Sequence, residues 1–359
     1  MNIPFSRGFN FSKWFEARTF QDIVFTKFTE QDFIDVKRLG ADVIRVPIAF
    51  HNFTLGDKAH TLEPQPSLTT GKWSGEGSTL DKGLLKYLET AVDWAEKHEI
   101  YIIIDNHSFH PIDPTDTHID KILIPVWEQT AEHFKNRSKF VIYEILNEPH
   151  GIPDGRWSEI QEAAIKAIRK IDEKHTIIVG GTNYNSLDKM TKVTIYKYDN
   201  LIYTFHFYDP HIFTHQGAAW NKPSLAPLSG LPFPYDKNKI PKPHETFIGT
   251  WVEDSLNSYE EDSKLTKLST ALDKADKFSN ENKVPVFCGE FGVFMRQSPR
   301  EDRIKWYKFI REELEKRNIP WACWDYFGGF GIFKTEKRGD FPQDLDLDIV
   351  NAIGLKEVK

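Results

Sequence analysis

Two glutamates stand where short apolar runs give way to polar residues, in Leu146-Asn147-Glu148-Pro149-His150 and in Cys288-Gly289-Glu290-Phe291-Gly292. A carboxylate is almost never buried without a partner or a task. Two carboxyl groups facing each other can cleave a glycosidic bond. One protonates the leaving oxygen, and the other meets the positive charge that develops on the sugar. At about 5 Å apart, the second carboxylate attacks the anomeric carbon directly and configuration is retained. For either Glu alone, a salt bridge at the rim of a fold is the plain alternative.

The other apolar runs end in a matching set. Arg45 lies between Val43-Ile44 and Val46-Pro47. A guanidinium among apolar neighbours must find a carboxylate, and Glu290 is the candidate; such a contact favours the charged nucleophile. Asn147 can donate to a sugar hydroxyl, and Tyr208 can orient the nucleophile. His107 and His206 can donate to hydroxyls or tune the acid, although a structural histidine is as common a reading for each. Trp324 offers a flat face to a sugar ring. Trp14, Trp73, Trp220, Trp251 and Tyr326 fall in or near expected loops and are candidate stacking surfaces.

Positioning these groups requires a scaffold. Eight short β-branched runs recur along the chain, starting at Arg7, Val43, Tyr101, Phe140, Thr176, Leu201, Val284 and Trp321. Most are continuously apolar, as parallel strands covered on both faces are. Helical patterns lie between them: Phe33 to Leu39 after a Thr29 cap and ending at Gly40, then Leu84–His98, Glu159–Ile171 and Arg303–Arg317. Strand and helix alternating eight times predict a single α/β domain over residues 1–359, a (β/α)8 TIM barrel. An open doubly wound sheet would need a Gly-rich turn after the first strand, and Gly8-Phe9-Asn10-Phe11 is not one. About 80 residues separate the sixth and seventh runs. Their excess, 211–263, is rich in Pro and reads as a long β6-α6 loop insertion without a core of its own.

Composition removes other classes. The 359 residues carry 46 Lys plus Arg against 53 Asp plus Glu, a net charge of -7, so no basic surface awaits nucleic acid. No run approaches a membrane span. Cys288 and Cys323 read as small buried hydrophobes. His107, His110, His206, Asp209 and His211 include metal-ligand types. However, His-x-x-His without a Glu is not the zinc-protease pattern, so no metal or cofactor is expected. A non-catalytic sugar-binding module would leave the two carboxylates unexplained. Trp, Tyr and Phe number 10, 12 and 27, which favours a surface that stacks on flat partners.

The motifs Ile44-Arg45-Val46-Pro47-Ile48, Asn147-Glu148-Pro149, His206-Phe207-Tyr208, Gly289-Glu290-Phe291-Gly292 and Trp324 resemble those of glycoside hydrolase family 5, the cellulases and related endo-glycanases. The stretch Phe213 to Trp220 also resembles one in bacterial endoglucanases of that family. The resemblance implies a retaining double displacement with Glu148 as acid/base and Glu290 as nucleophile. It carries Arg45, His107, Asn147, His206, Tyr208 and Trp324 over as active-site residues. The expected substrate is a β-1,4-linked glucan, including mixed-linkage β-1,3-1,4-glucan, with mannan and other hemicelluloses as the alternative. Many relatives have a second His where this chain has Ser108. No signal peptide is visible at Met1-Asn2-Ile3-Pro4. A polysaccharide substrate nevertheless fits a secreted or periplasmic protein with its signal removed, cytoplasmic being the alternative, and a monomer is expected.

Overall fold

The structure is a computed structural model that describes residues 3–17, 20–55, 78–107 and 115–356. Trp73, Ser108 and His110 lie outside the described residues. Eight strands are β1 (Arg7–Asn10), β2 (Val43–Ile48), β3 (Tyr101–Asn106), β4 (Val141–Glu144), β5 (Thr176–Gly180), β6 (Leu201–Phe207), β7 (Val286–Phe291) and β8 (Trp321–Cys323). Each pairs in parallel with the next, and β8 returns to β1 to close the barrel. The eight expected runs are therefore the eight staves of a (β/α)8 barrel. The seventh strand begins at Val286 rather than Val284, because Pro285 has no N–H to give and contributes only its carbonyl, to Tyr203 N at 2.9 Å.

Helices of six residues or more are α1 (Glu30–Arg38), α2 (Lys82–Lys97), α3 (Asp120–Phe134), α4 (Asp154–Arg169), α5 (Trp251–Asp262), α6 (Leu265–Asn282), α7 (Arg300–Lys316) and α8 (Leu347–Ala352). Thr29 and Asp32 form a reciprocal capping box that starts α1, and the chain turns out of it at Gly40 with φ 86°. The alternation lapses once. Between β5 and β6 there are only two single turns, Thr182–Asn185 and Leu187–Met190. Among the described residues no helix is long and apolar enough to cross a membrane.

Two apolar clusters hold the barrel. Phe5, Val43, Tyr101, Ile103, Ile142, Ile178, Ile202, Phe287 and Ala322 form one of them. The larger cluster joins the helices to the strands. Stretch 211–263, expected as a long loop insertion without a core of its own, packs against the larger cluster. It ends in helix α5, whose Thr250 cap accepts from Val252 N, and it sinks Leu225, Leu228, Leu231, Phe233, Phe247 and Tyr259 into the larger cluster. Gln216 fastens it, accepting from Leu231 N at 2.8 Å and donating to Leu231 O at 3.1 Å. Prolines up to Pro243 break the periodicity of its first part, whereas Val252, Leu256 and Tyr259 keep helical spacing within α5.

The aromatic excess mostly fills this interior. Trp14, Trp127, Trp157, Trp306 and Trp321 are fully buried, as is Tyr326. Trp14 and Tyr326 are thus core residues and not stacking platforms: Trp14 stacks on Trp94 of α2 at 6.3 Å, and Tyr326 packs on Phe9 and Phe11 at 5.3 Å each. Cys288 and Cys323 are buried and free.

Candidate active site

Strand β2 places Arg45 at the centre of the barrel floor, fully buried. Its Nε and Nη2 donate to the two oxygens of Glu144 at 2.7 and 2.9 Å. Nη1 donates to Asn10 Oδ1 at 2.9 Å and Glu290 Oε1 at 2.8 Å. Nη2 also reaches Asn147 Oδ1 at 2.7 Å and Asp105 Oδ2 at 3.0 Å. Every N–H of the fork is thereby committed. Burial works against its charge, but Asp105, Glu144 and Glu290 outweigh that and hold the group well above its ordinary range.

Glu290 reaches this position through a bulge. Phe205 pairs with Cys288 and His206 with Glu290, so Gly289 is an extra residue in β7. A Cβ at Gly289 would lie 2.9 Å from Thr204 Oγ1 and 3.2 Å from His206 Nε2, which explains the glycine. The second oxygen of Glu290 accepts from Tyr208 OH at 2.8 Å. Burial, and then Glu290, keep that phenol protonated far beyond its usual range.

Glu148 lies four residues past the end of β4. It was expected directly at the strand end, but the strand closes at Glu144. Its Oε1 is 2.6 Å from His206 Nδ1. Burial pushes its carboxyl up to about 6, against the pull of His107, Arg45 and His150. Burial also drives His206 down to about 4, against Glu290, so the imidazole is neutral at neutral pH. Its single hydrogen belongs on Nδ1, facing an ionised Glu148. Carboxylate oxygens of Glu148 and Glu290 and a nitrogen of His206 all lie within 4.8 Å of one another.

His107 at the end of β3 bonds Asp105 Oδ2 through Nδ1 at 2.6 Å. Burial would lower it, but Asp105, and then Glu16, raise it to about 9, so it carries a positive charge. Its ring lies 5.2 Å from that of Trp324 with only 10° between the planes. Trp324 follows β8, and its peptide bond to Asp325 is cis.

Trp220 stands at the rim, 58% exposed. It meets Phe294 edge-on at 5.0 Å and His215 at 6.3 Å, and His215 in turn meets Tyr208 at 4.9 Å. The structure thus gathers Arg45, His107, Asn147, Glu148, His206, Tyr208, Glu290 and Trp324 into one network, with Trp220 joined through His215. Trp251, 38% exposed, meets His211 of the His211–His215 stack at 5.9 Å and donates its indole N–H to Lys222 O at 2.9 Å.

Sequence reasoning missed Asn10, Asp105, Glu144 and His215. Asp105 and Glu144 each end an apolar run, in Ile103-Ile104-Asp105 and Ile142-Tyr143-Glu144. The rule that singled out Glu148 and Glu290 applies to them equally.

Residues 6–328 match the family described as cellulase, glycosyl hydrolase family 5. Endoglucanase 3 of Fibrobacter succinogenes is 30% identical over 354 residues, covering 92% of this chain and 51% of that protein. The chain therefore spans about half the length of that relative. Endoglucanase C of Acetivibrio thermocellus is 27% identical over 350 residues, covering 94% of this chain and 95% of its own. Among solved structures, Thermotoga maritima Cel5A in complex with cellobiose superposes with a TM-score of 0.76 at 25% identity, over 97% of each chain. With the barrel, the paired carboxylates and a family match across most of its length, the chain belongs to glycosyl hydrolase family 5, the cellulases.

Proposed function

We propose that the protein is a retaining endo-glycoside hydrolase that cuts internal β-1,4 linkages of β-glucans, mixed-linkage β-1,3-1,4-glucan included. The observation that carries this reading is the meeting of Glu148 and Glu290 within 4.8 Å, close to the roughly 5 Å of direct displacement. The endoglucanase names of the relatives and the cellobiose bound to the Thermotoga protein support the substrate class.

Glu290 attacks the anomeric carbon as the bond to the leaving sugar breaks, and Glu148 gives its proton to the departing oxygen. A raised carboxyl at position 148 suits that first role. In the second half, Glu148 takes a proton from water, the water oxygen bonds the anomeric carbon, and Glu290 leaves as a carboxylate. Arg45 and Tyr208, one on each oxygen of Glu290, hold it aimed through both halves. His206 supports the ionised state of Glu148 that the second half needs. Asn147, with its carbonyl oxygen taken by Arg45, keeps its amide hydrogens for the 2-hydroxyl. Trp324 carries the ring being cleaved and Trp220 a ring on the leaving side. A polymeric substrate favours work outside the cell or in the periplasm, by a monomer.

Separate Glu148→Gln and Glu290→Gln variants assayed on barley glucan and soluble cellulose should each lose several orders of magnitude in kcat. Near-normal turnover by either would reject the assignment. Wild-type product sizes from cello-oligosaccharides, barley glucan and glucomannan would distinguish a glucanase from a mannanase. Loss of activity to a chelator would replace the carboxylate scheme with a metal-assisted one.

A further inference from the structure

A second cavity shares no lining residue with this cleft. It has a volume of about 810 Å³ and opens between the chain after β7, the start of α7 and the chain after β8. Arg303 and Ser298 line it. Arg303 is 4% exposed and, among the described residues, makes no ion pair and leaves its Nη2 without a hydrogen-bond partner. Its Nε donates only to Val293 O, at a long 3.3 Å. Ser298, 8% exposed, likewise leaves Oγ without a partner. A buried guanidinium unmatched by any carboxylate is costly, and natural structures normally pair such a charge.

The other ionisable groups of the cavity do not supply the missing charge. Asp346 and Asp348 are both committed to Arg300, at 2.6 and 2.7 Å. Lys334 donates to Gln343 O at 2.7 Å and meets no carboxylate among the described residues. Three cations thus face two carboxylates in a chain whose net charge is -7. The space after the seventh and eighth strands is where barrels of this architecture frequently hold an anion. Here the buried side chains provide the charge, and Ser298 an added hydroxyl donor.

We propose that this cavity binds an oxyanion carried by a sugar-sized molecule, a phosphoryl or carboxylate group seated on Arg303 and Ser298, at a site separate from the glucan cleft. The guanidinium fork matches the paired oxygens of either group, and the volume exceeds what the anion alone would fill. The occupant is a small acidic metabolite or acidic sugar unit rather than the neutral glucan of the proposed reaction.

Calorimetric titration of the full chain at low salt with inorganic phosphate, glucuronate and glucose tests this. One or both anions should saturate below about 10 mM and glucose should not. Phosphate alone would assign a phosphoryl source, glucuronate alone a carboxylate one. Arg303→Met should weaken binding at least tenfold. Ser298→Asp sets a carboxylate against Arg303 and should abolish binding while hydrolysis of soluble glucan continues, which answers the case in which Arg303→Met fails to fold. No saturation by either anion, equal binding of glucose, or undiminished binding in the Ser298→Asp variant would each overturn the proposal.

Discussion

Replacing Tyr208 by Phe removes one oxygen and one hydrogen bond. His215 packs edge-on to the ring at 4.9 Å and Phe330 at 6.3 Å, so the ring keeps its place. Glu290 Oε2 then loses the donor at 2.8 Å, and the next nitrogen, His206 Nδ1, is 3.6 Å away and already engaged by Glu148. A hydrogen bond to a charged group contributes about 1.5–3 kcal/mol. In the proposed double displacement the charge on Glu290 disappears as the covalent intermediate forms and returns as it breaks down, so the lost bond falls on the second half of the cycle. With about half of that charge restored in the transition state, the penalty is ~0.8–1.5 kcal/mol, about three- to tenfold in kcat. An aryl cellobioside with a good leaving group makes the first half fast and exposes the second. Stopped-flow should show a burst of aryl alcohol equal to the enzyme concentration, then a slowed steady state. Unchanged kcat with no burst would refute the claim that Tyr208 supports the departing carboxylate.

Two further outcomes follow from the same network. Because the proposed acid, Glu148, must be protonated to act and its carboxyl is raised to about 6, kcat/KM on glucan should hold below that pH and fall as pH rises through it. The fall should vanish on aryl glycosides whose leaving group needs no proton, and a flat profile on glucan to about pH 8 would contradict the assignment. Arg45→Met strands Asp105, Glu144 and Glu290 in the barrel floor. Breaking a buried ion pair from one side costs about 3–5 kcal/mol, readable by urea denaturation, and a loss below about 1 kcal/mol would show that the carboxylates find other partners.

Much of this arrangement can be read in the sequence because parallel strands covered on both faces are continuous apolar runs, and a polar residue ending one stands out. Arg45, Glu290 and His206 are visible for that reason, and the contact between Arg45 and Glu290 follows from charge alone. Asp105 and Glu144 carry the same mark, yet their function is to hold another side chain, which residue type does not reveal. Asn10 also ends its strand, but a short neutral side chain carries no charge that must be paired. The loop aromatics are ambiguous for a different reason. Trp14 and Trp220 occupy similar local contexts, and only the path of the surrounding chain decides that one is sealed in and the other exposed. In 211–263 the prolines end at Pro243, and Val252, Leu256 and Tyr259 do carry the helical spacing of α5, but the Pro-rich chain before them marks the whole stretch as loop.

The extra residue in the seventh strand also bears on protein engineering. With the sixth and seventh strands in unbroken register, Gly289 would stand opposite His206 and Glu290 opposite Phe207, which turns the carboxylate out of line with its neighbours. Grafting these two glutamates onto another eight-staved scaffold by matching residues alone would therefore fail. The donor segment must bring its phase shift along, together with a position on the adjoining stave small enough to admit it.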